Sequence, residues 1–285
     1  MQKTSTSLTL LAFLAGGATL TSAQSLPTSQ PKYLHIVREQ VKIGREGDHS
    51  KHEAGWPAAY EKAKAPMAYI ALVSMTGTRE SWYVTPYESH GAWGENMKRE
   101  SADPVLSAEL ERLGKVDAEY LSDLQLMQAM ARPDLSHGAF PDTSKQRFYA
   151  ITLFRVKPGY DSGFAAVAKS YAATAGRSAP NARWRTYQVM AGAPSPTFLV
   201  FSSYEAYGDL DRSIEEGMSM SKSFSAEELL ALQKFNAEGL ISAETNRYRL
   251  DPAQSYVAKE TREKDAAFWM PKPAAKVLAK KPAQD

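Results

Sequence analysis

Cysteine is absent from this 285-residue chain. That excludes disulfides, thiolate nucleophiles and cysteine-ligated metal centres, so core packing must hold the fold together. A surplus of either charge is missing too: 34 Lys+Arg stand against 32 Asp+Glu. Such a balance implies neither a nucleic-acid partner nor an anionic membrane surface. No Ser-His-Asp elbow, phosphate-cradling glycine loop or Asp-rich metal loop is visible. An unbroken apolar run long enough to cross a bilayer, about 20 residues, does not occur at the N-terminus. Residues 8–20 carry no charge and follow a lone Lys3, but Gly16, Gly17 and Thr19 interrupt them, and small residues stand at Thr21 and Ala23. This is the layout of a secretory signal peptide cut after Ala23. The expected mature protein therefore begins at Gln24, is secreted or periplasmic, and keeps no membrane attachment.

What the chain does contain is one unit written twice. Val41-Lys42-Ile43-Gly44 is matched by Val156-Lys157-Pro158-Gly159, and Tyr87-Glu88-Ser89-His90-Gly91 by Tyr204-Glu205-Ala206-Tyr207-Gly208. Ala118-Glu119 and Leu121 recur as Ala237-Glu238 and Leu240, and Pro133 and Ser136 as Pro252 and Ser255. The matches keep their order and their separation drifts slowly one way, as short loop insertions in an internal duplication would produce.

Each copy carries the same predicted elements. The first strand covers 33–41, with its counterpart at 148–156; both are rich in aromatic and β-branched residues and end at a glycine turn. A helix follows, with His49, His52, Trp56, Tyr60 and Ala63 on one face in the first copy and Phe164, Val167 and Tyr171 in the second. Two hairpin strands come next, at 68–75 and 81–85, then at 183–191 and 197–202. A second helix is expected near 107–121 and 226–241, and a closing strand at 126–132 and 245–250. The order β-α-β-β-α-β is ferredoxin-like. The fold class is therefore α+β: two repeats, at 31–137 and 146–257, whose sheets bury their open faces against each other. The Lys/Pro/Ala-rich segment 268–285 is expected to be a disordered tail.

On these motifs, together with Pro133-Asp134-Leu135-Ser136 and Pro252-Ala253-Gln254-Ser255, the chain resembles the dimeric α/β-barrel superfamily over about residues 31–257. It is most similar to the non-haem members of uncharacterised activity. The resemblance implies a pseudo-dimeric barrel with the dimer fused into one chain. The superfamily includes haem enzymes, cofactor-free monooxygenases and proteins with no known activity, so fold alone does not carry function.

All five histidines, His35, His49, His52, His90 and His137, lie in the first copy. His49-x-x-His52-Glu53 lacks the four-residue histidine spacing of a metalloprotease helix, and no metal site is expected from it. His90 in a loop is a slender basis for an axial haem ligand, and no cofactor is expected. Side chains alternate along the first strand: Tyr33, His35, Val37, Glu39 and Val41 are assigned to the helix side. Leu34, Ile36, Arg38 and Gln40, with Tyr149, Ile151, Leu153 and Arg155 of the second copy, are assigned to the barrel interior. Arg38 there needs a partner, either a glutamate on a facing strand or an anionic ligand.

Two functional readings stay open, and whether the protein is an enzyme stays open with them. The first is a binding protein holding a small apolar ligand between the sheets, with Arg38, Tyr149 and Tyr187 as anchors. The second, implied by the resemblance, is a cofactor-free oxygenase or isomerase acting on an aromatic or polyketide-like substrate. There His35, Arg38 and His90 would be the acid–base candidates. With both sheets in one chain, the protein is expected to be a monomer.

Overall fold

The computed structural model describes residues 24–271. The expected leader at 1–23 and the tail beyond 271 lie outside the described residues. The first strand β1 (Tyr33–Val41) and its counterpart β5 (Phe148–Val156) fall where the residue pattern places them. Each runs into a positive-φ glycine, Gly44 at φ 85° and Gly159 at φ 88°, a conformation that costs glycine nothing. Between β1 and β5 come α1 (Glu46–Glu53), α2 (Gly55–Ala63), β2 (Tyr69–Ser74), β3 (Glu80–Tyr87), α3 (His90–Ala102), α4 (Pro104–Asp117) and β4 (Leu121–Ala131). After β5 the same order returns as α5 (Asp161–Ser178), β6 (Arg185–Ala191), β7 (Thr197–Tyr204), α6 (Asp209–Ser223), α7 (Ala226–Glu238) and β8 (Leu240–Tyr256), closed by α8 (Lys259–Lys264) and α9 (Ala266–Trp269). Among the described residues, no helix is long and apolar enough to cross a membrane.

The eight strands close into one antiparallel barrel in the order β1-β3-β2-β8-β5-β7-β6-β4. The two sheets thus do more than face each other: they are hydrogen-bonded edge to edge at two seams, β2 with β8 and β4 with β6. Closure leaves no unpaired edge. The Pro-x-x-Ser motifs sit at these seams. Ser136 Oγ donates to the Arg132 carbonyl and accepts the Thr186 N–H of β6 at 3.0 Å. Ser255 Oγ donates to the Asp251 carbonyl and accepts the Ala71 N–H of β2 at 2.9 Å. Each hydroxyl bonds a backbone N–H across its seam, that of Ser255 where the β2–β8 ladder is irregular.

Alternation along β1 and β5 is as assigned. Leu34, Ile36, Tyr149 and Ile151 enter the barrel core with Leu72, Trp82, Met127, Leu199 and Tyr248. Each such side chain contributes about 1.5–3 kcal/mol by leaving water. The helix side of the first half is a second core of Tyr60, Met67, Tyr69, Tyr83, Leu113 and Tyr256.

Four expectations are revised. The first helix breaks at Ala54, because α2 crosses so close to α4 that a Cβ on Gly55 would meet Leu113 at 2.8 Å. Helices α3 and α6 precede the single helix expected in each copy. β8 runs far beyond 245–250 and carries Pro252 at a ladder irregularity, where no donor is needed. The start of the expected tail is ordered: Trp269 is buried in the barrel core, its indole N–H donates to the Ser144 carbonyl at 3.2 Å, and Arg147 pairs with Asp265.

Candidate functional site

Arg38 points into the barrel, and its partner is Glu80, with Nε to Oε2 at 2.6 Å. The other oxygen of Glu80 accepts the Trp82 indole N–H at 2.9 Å and the Tyr248 hydroxyl. The Arg38 guanidinium lies 5.2 Å from the Trp82 ring centre. Burial, then the adjacent Glu80 carboxylate, push the Tyr248 phenol above its ordinary range. This network pairs the Arg38 cation with a carboxylate inside the barrel.

The other two expected anchors lie together. A cavity of about 100 Å³ at one mouth of the barrel is lined by Leu34, Leu72, Val84, Tyr149, Tyr187 and Phe201. The segment before β1 and the joint between the halves roof it with Leu26, Pro27, Phe140 and Pro141. Arg38 is not in this lining. The Tyr149 hydroxyl is buried and has no hydrogen-bond partner, and burial raises its phenol well above the usual range. The Tyr187 hydroxyl is met by Gln30. Arg185, also in the lining, is 8% exposed and donates only to the carbonyls of His137, Trp184 and Gly138. Among the described residues no carboxylate forms an ion pair with it. Burial lowers its pKa.

A larger cleft of about 980 Å³ lies outside the barrel, between the second sheet and α5, α6 and α7. Its lining mixes Phe164, Tyr171 and Met220 with Arg212, Glu216 and Asn236.

The acid–base trio does not assemble. His35 is on the helix side of β1, edge-on to Trp93 with ring centres 3.7 Å apart. His90 is exposed at the start of α3, against Tyr33 at 4.3 Å. Arg38 is on the opposite face of the sheet, inside the barrel. Alternation along β1 forces this, since residues an odd number apart face opposite sides.

One cluster was not anticipated from the residue pattern. Glu39, His49, Glu53 and Asp117 are all buried between β1, α1 and α4. His49 Nε2 lies 3.0 Å from Glu39, 3.6 Å from Asp117 and 4.0 Å from Glu53. Burial, then the neighbouring carboxylates, raise both Glu39 and Glu53 far above the ordinary carboxylate range. His52, grouped with His49 in the sequence, turns away to the Leu113 carbonyl at 2.9 Å. The available signal was a comparison of the two halves of the chain: Phe154, Phe164, Ala168 and Asn236 stand at the matching positions.

No family model and no curated protein sequence matches the chain. Solved structures do resemble it. An anthrone oxidase-like protein superposes with a TM-score of 0.55 at 11% identity, covering 79% of this chain and 94% of the other. A "putative monooxygenase" from Fusobacterium nucleatum gives 0.51 at 11% identity, covering 77% and 92%. A chlorite dismutase from Candidatus Nitrospira defluvii gives 0.45 at 8% identity, covering 83% and 95%. The chain thus has an α+β architecture built on an eight-stranded antiparallel barrel, a fold it shares with the first two of these structures.

Proposed function

We propose that this chain is an exported monomer that binds a small, largely apolar molecule bearing one hydrogen-bond acceptor at the mouth of its barrel. The observation that carries this reading is the Tyr149 hydroxyl, a buried donor without an acceptor in an apolar cavity. Leaving such a group unsatisfied costs about 1–3 kcal/mol, and a ligand carbonyl or carboxylate would recover it. Arg185, a buried cation with no carboxylate partner among the described residues, favours an acceptor that carries negative charge. Export rests on the leader pattern at 1–23. The monomer rests on the barrel closing within one chain, and a tandem-duplicated origin on the matched glycine turns and seam hydroxyls of the two halves.

The test uses three probes of similar size: benzoate, acetophenone and ethylbenzene. Titration followed by ligand-observed NMR should rank them in that order, and Tyr149→Phe should remove the preference for an acceptor while keeping ethylbenzene binding. Equal binding of all three, or none at millimolar concentration, refutes the reading.

A second reading at the same mouth is an oxygen-using enzyme. It draws on the names of the structural neighbours and on Arg185, a cation suited to stabilising an enolate. Oxygen uptake on adding an enolisable aromatic ketone, lost in Arg185→Gln, would support it.

A further inference from the structure

The Glu39, His49, Glu53 and Asp117 cluster lies on the far side of β1 from the barrel mouth and plays no part in the function proposed above. Three carboxylates and an imidazole, each 5% exposed or less, share a space in which the four donor atoms are all within 4.8 Å of one another. A carboxylate taken out of water must either hold its proton or meet a countercharge. No Lys or Arg among the described residues forms an ion pair with any of the three. Asp117 Oδ1 is fully buried and accepts no hydrogen bond; it faces the His49 ring nitrogen at 3.6 Å, inside the cluster.

The separations approach those of a coordination sphere. Donors about 2.0–2.2 Å from one cation stand about 3.0 Å apart when cis in an octahedron, about 3.5 Å in a tetrahedron and about 4.3 Å when trans. The distances from His49 Nε2 are 3.0, 3.6 and 4.0 Å. The outer contacts also suit ligands held in place. The Trp56 indole N–H donates to Glu53 Oε1 at 3.0 Å. Tyr83 lies beside both Glu39 and Glu53, and its hydroxyl donates to Gln254 at 3.0 Å.

The second half shows that the fold itself does not require polarity here. At the matching place it packs Phe164 against Phe198 with ring centres 4.0 Å apart, beside Phe154 and Phe235. Three of the four matching positions are apolar there and the fourth is the exposed Asn236, so the buried polar set in the first half calls for another cause.

We propose that Glu39, His49, Glu53 and Asp117 bind a single divalent first-row cation. Three hard oxygens with one imidazole favour manganese, iron(II) or zinc over calcium and magnesium, which take oxygen alone, and over copper(I), which prefers sulfur. All four donors come from buried side chains, so the ion is structural, tying α1 and α4 to β1.

The experiment uses the untagged mature chain. It is stripped with chelator and titrated with Mn²⁺, Zn²⁺ and Ca²⁺, while melting temperature and bound metal are measured by elemental analysis after desalting. One equivalent of Mn²⁺ or Zn²⁺ retained, with a rise of about 5 °C or more, is the expected result; calcium should give neither. Glu53→Gln and Asp117→Asn should each abolish retention and the rise. Without metal both should melt at or above the stripped parent, because each removes one carboxylate from a crowded set. A parent that retains no Mn²⁺ or Zn²⁺ and whose melting does not move overturns the proposal, whether or not the variants fold. So does a folded variant that keeps the full metal response.

Discussion

Ser255→Ala tests whether the barrel is held closed where the structure places the bond. The hydroxyl is 6% exposed, and Ala71, whose N–H it accepts at 2.9 Å, is completely buried. Its own proton goes to the Asp251 carbonyl at 2.6 Å. Removing one oxygen therefore takes the acceptor from a buried backbone N–H and the donor from a carbonyl. The vacated space is about one hydroxyl, too small for a water to replace it. A net hydrogen bond contributes about 1 kcal/mol, and an orphaned buried donor costs about 1–3 kcal/mol. The expected loss is about 2–4 kcal/mol, or about 5–10 °C in melting temperature for a chain of this length. Urea unfolding should show the change in the midpoint with the slope preserved. The Ala71 amide should also exchange with solvent faster than its neighbours on β2. Ser136→Ala makes the same cut at the other seam, where Ser136 is only half-buried and water can substitute, so about 1 kcal/mol is expected there. Ser107→Ala, exposed and without a side-chain bond, should stay within about 0.5 kcal/mol. If Ser255→Ala falls in that same narrow range, the seam does not depend on the hydroxyl and the reasoning is wrong.

Burial holds His35 down to about 4, against an ordinary 6.5. Above pH 6.5 the ring is neutral folded or unfolded and contributes nothing; between 6.5 and 4 only the unfolded chain takes up the proton, so stability falls with pH. The full effect would be about 3 kcal/mol, reduced to about 1–2 kcal/mol because solvent reaches part of the ring; His35→Phe should lack this component, and parallel acid-denaturation curves would count against it. Arg38→Met leaves Glu80 buried beside Tyr248 without its cation and should cost about 2–4 kcal/mol in urea unfolding. Adding Glu80→Gln to that variant should recover part of the loss, and a double variant no better than the single one would show that the ion pair is not the cause. Light scattering should give about 29 kDa for the mature chain; a stable mass of twice that defeats the monomer.

How much of this was legible beforehand follows from how local each signal is. The strands β1 and β5 were readable because an alternating, β-branched run and the glycine ending it are set by neighbours in sequence. Helix α3 was not, since its residues His90–Ala102 bury only Asn96. A helix so thinly docked carries little apolar periodicity, and its start is marked by the Ser89 cap on the Ala92 N–H at 3.0 Å. Helix α6 is clearly amphipathic and was missed all the same; it buries only Leu210 and Met220. The interior ion pair was half legible: alternation put Arg38 in the barrel, but choosing Glu80 needed the register that sets Arg38 opposite Trp82 and Gln40 opposite Glu80.

The buried acidic cluster is the hardest case, because it depends on three elements meeting. Glu39 on β1 and Glu53 on α1 are ordinary charged residues when read alone, and Asp117 at the end of α4 resembles a solvated helix terminus. Only His49 and Glu53, four apart on one helix, share a local pattern. What could have revealed the cluster is the second half of the chain, which acts as an internal control for the first. The two halves share one order of elements, and where one has Phe154 the other has Glu39, so that order alone does not call for a carboxylate there. Applied along the whole chain, that comparison separates residues that make the barrel from residues that give one half its own chemistry. It assigns the glycine turns and seam serines, present in both halves, to the first group. Glu39, His49 and Glu53 fall in the second, replaced in the other half by Phe154, Phe164 and Ala168.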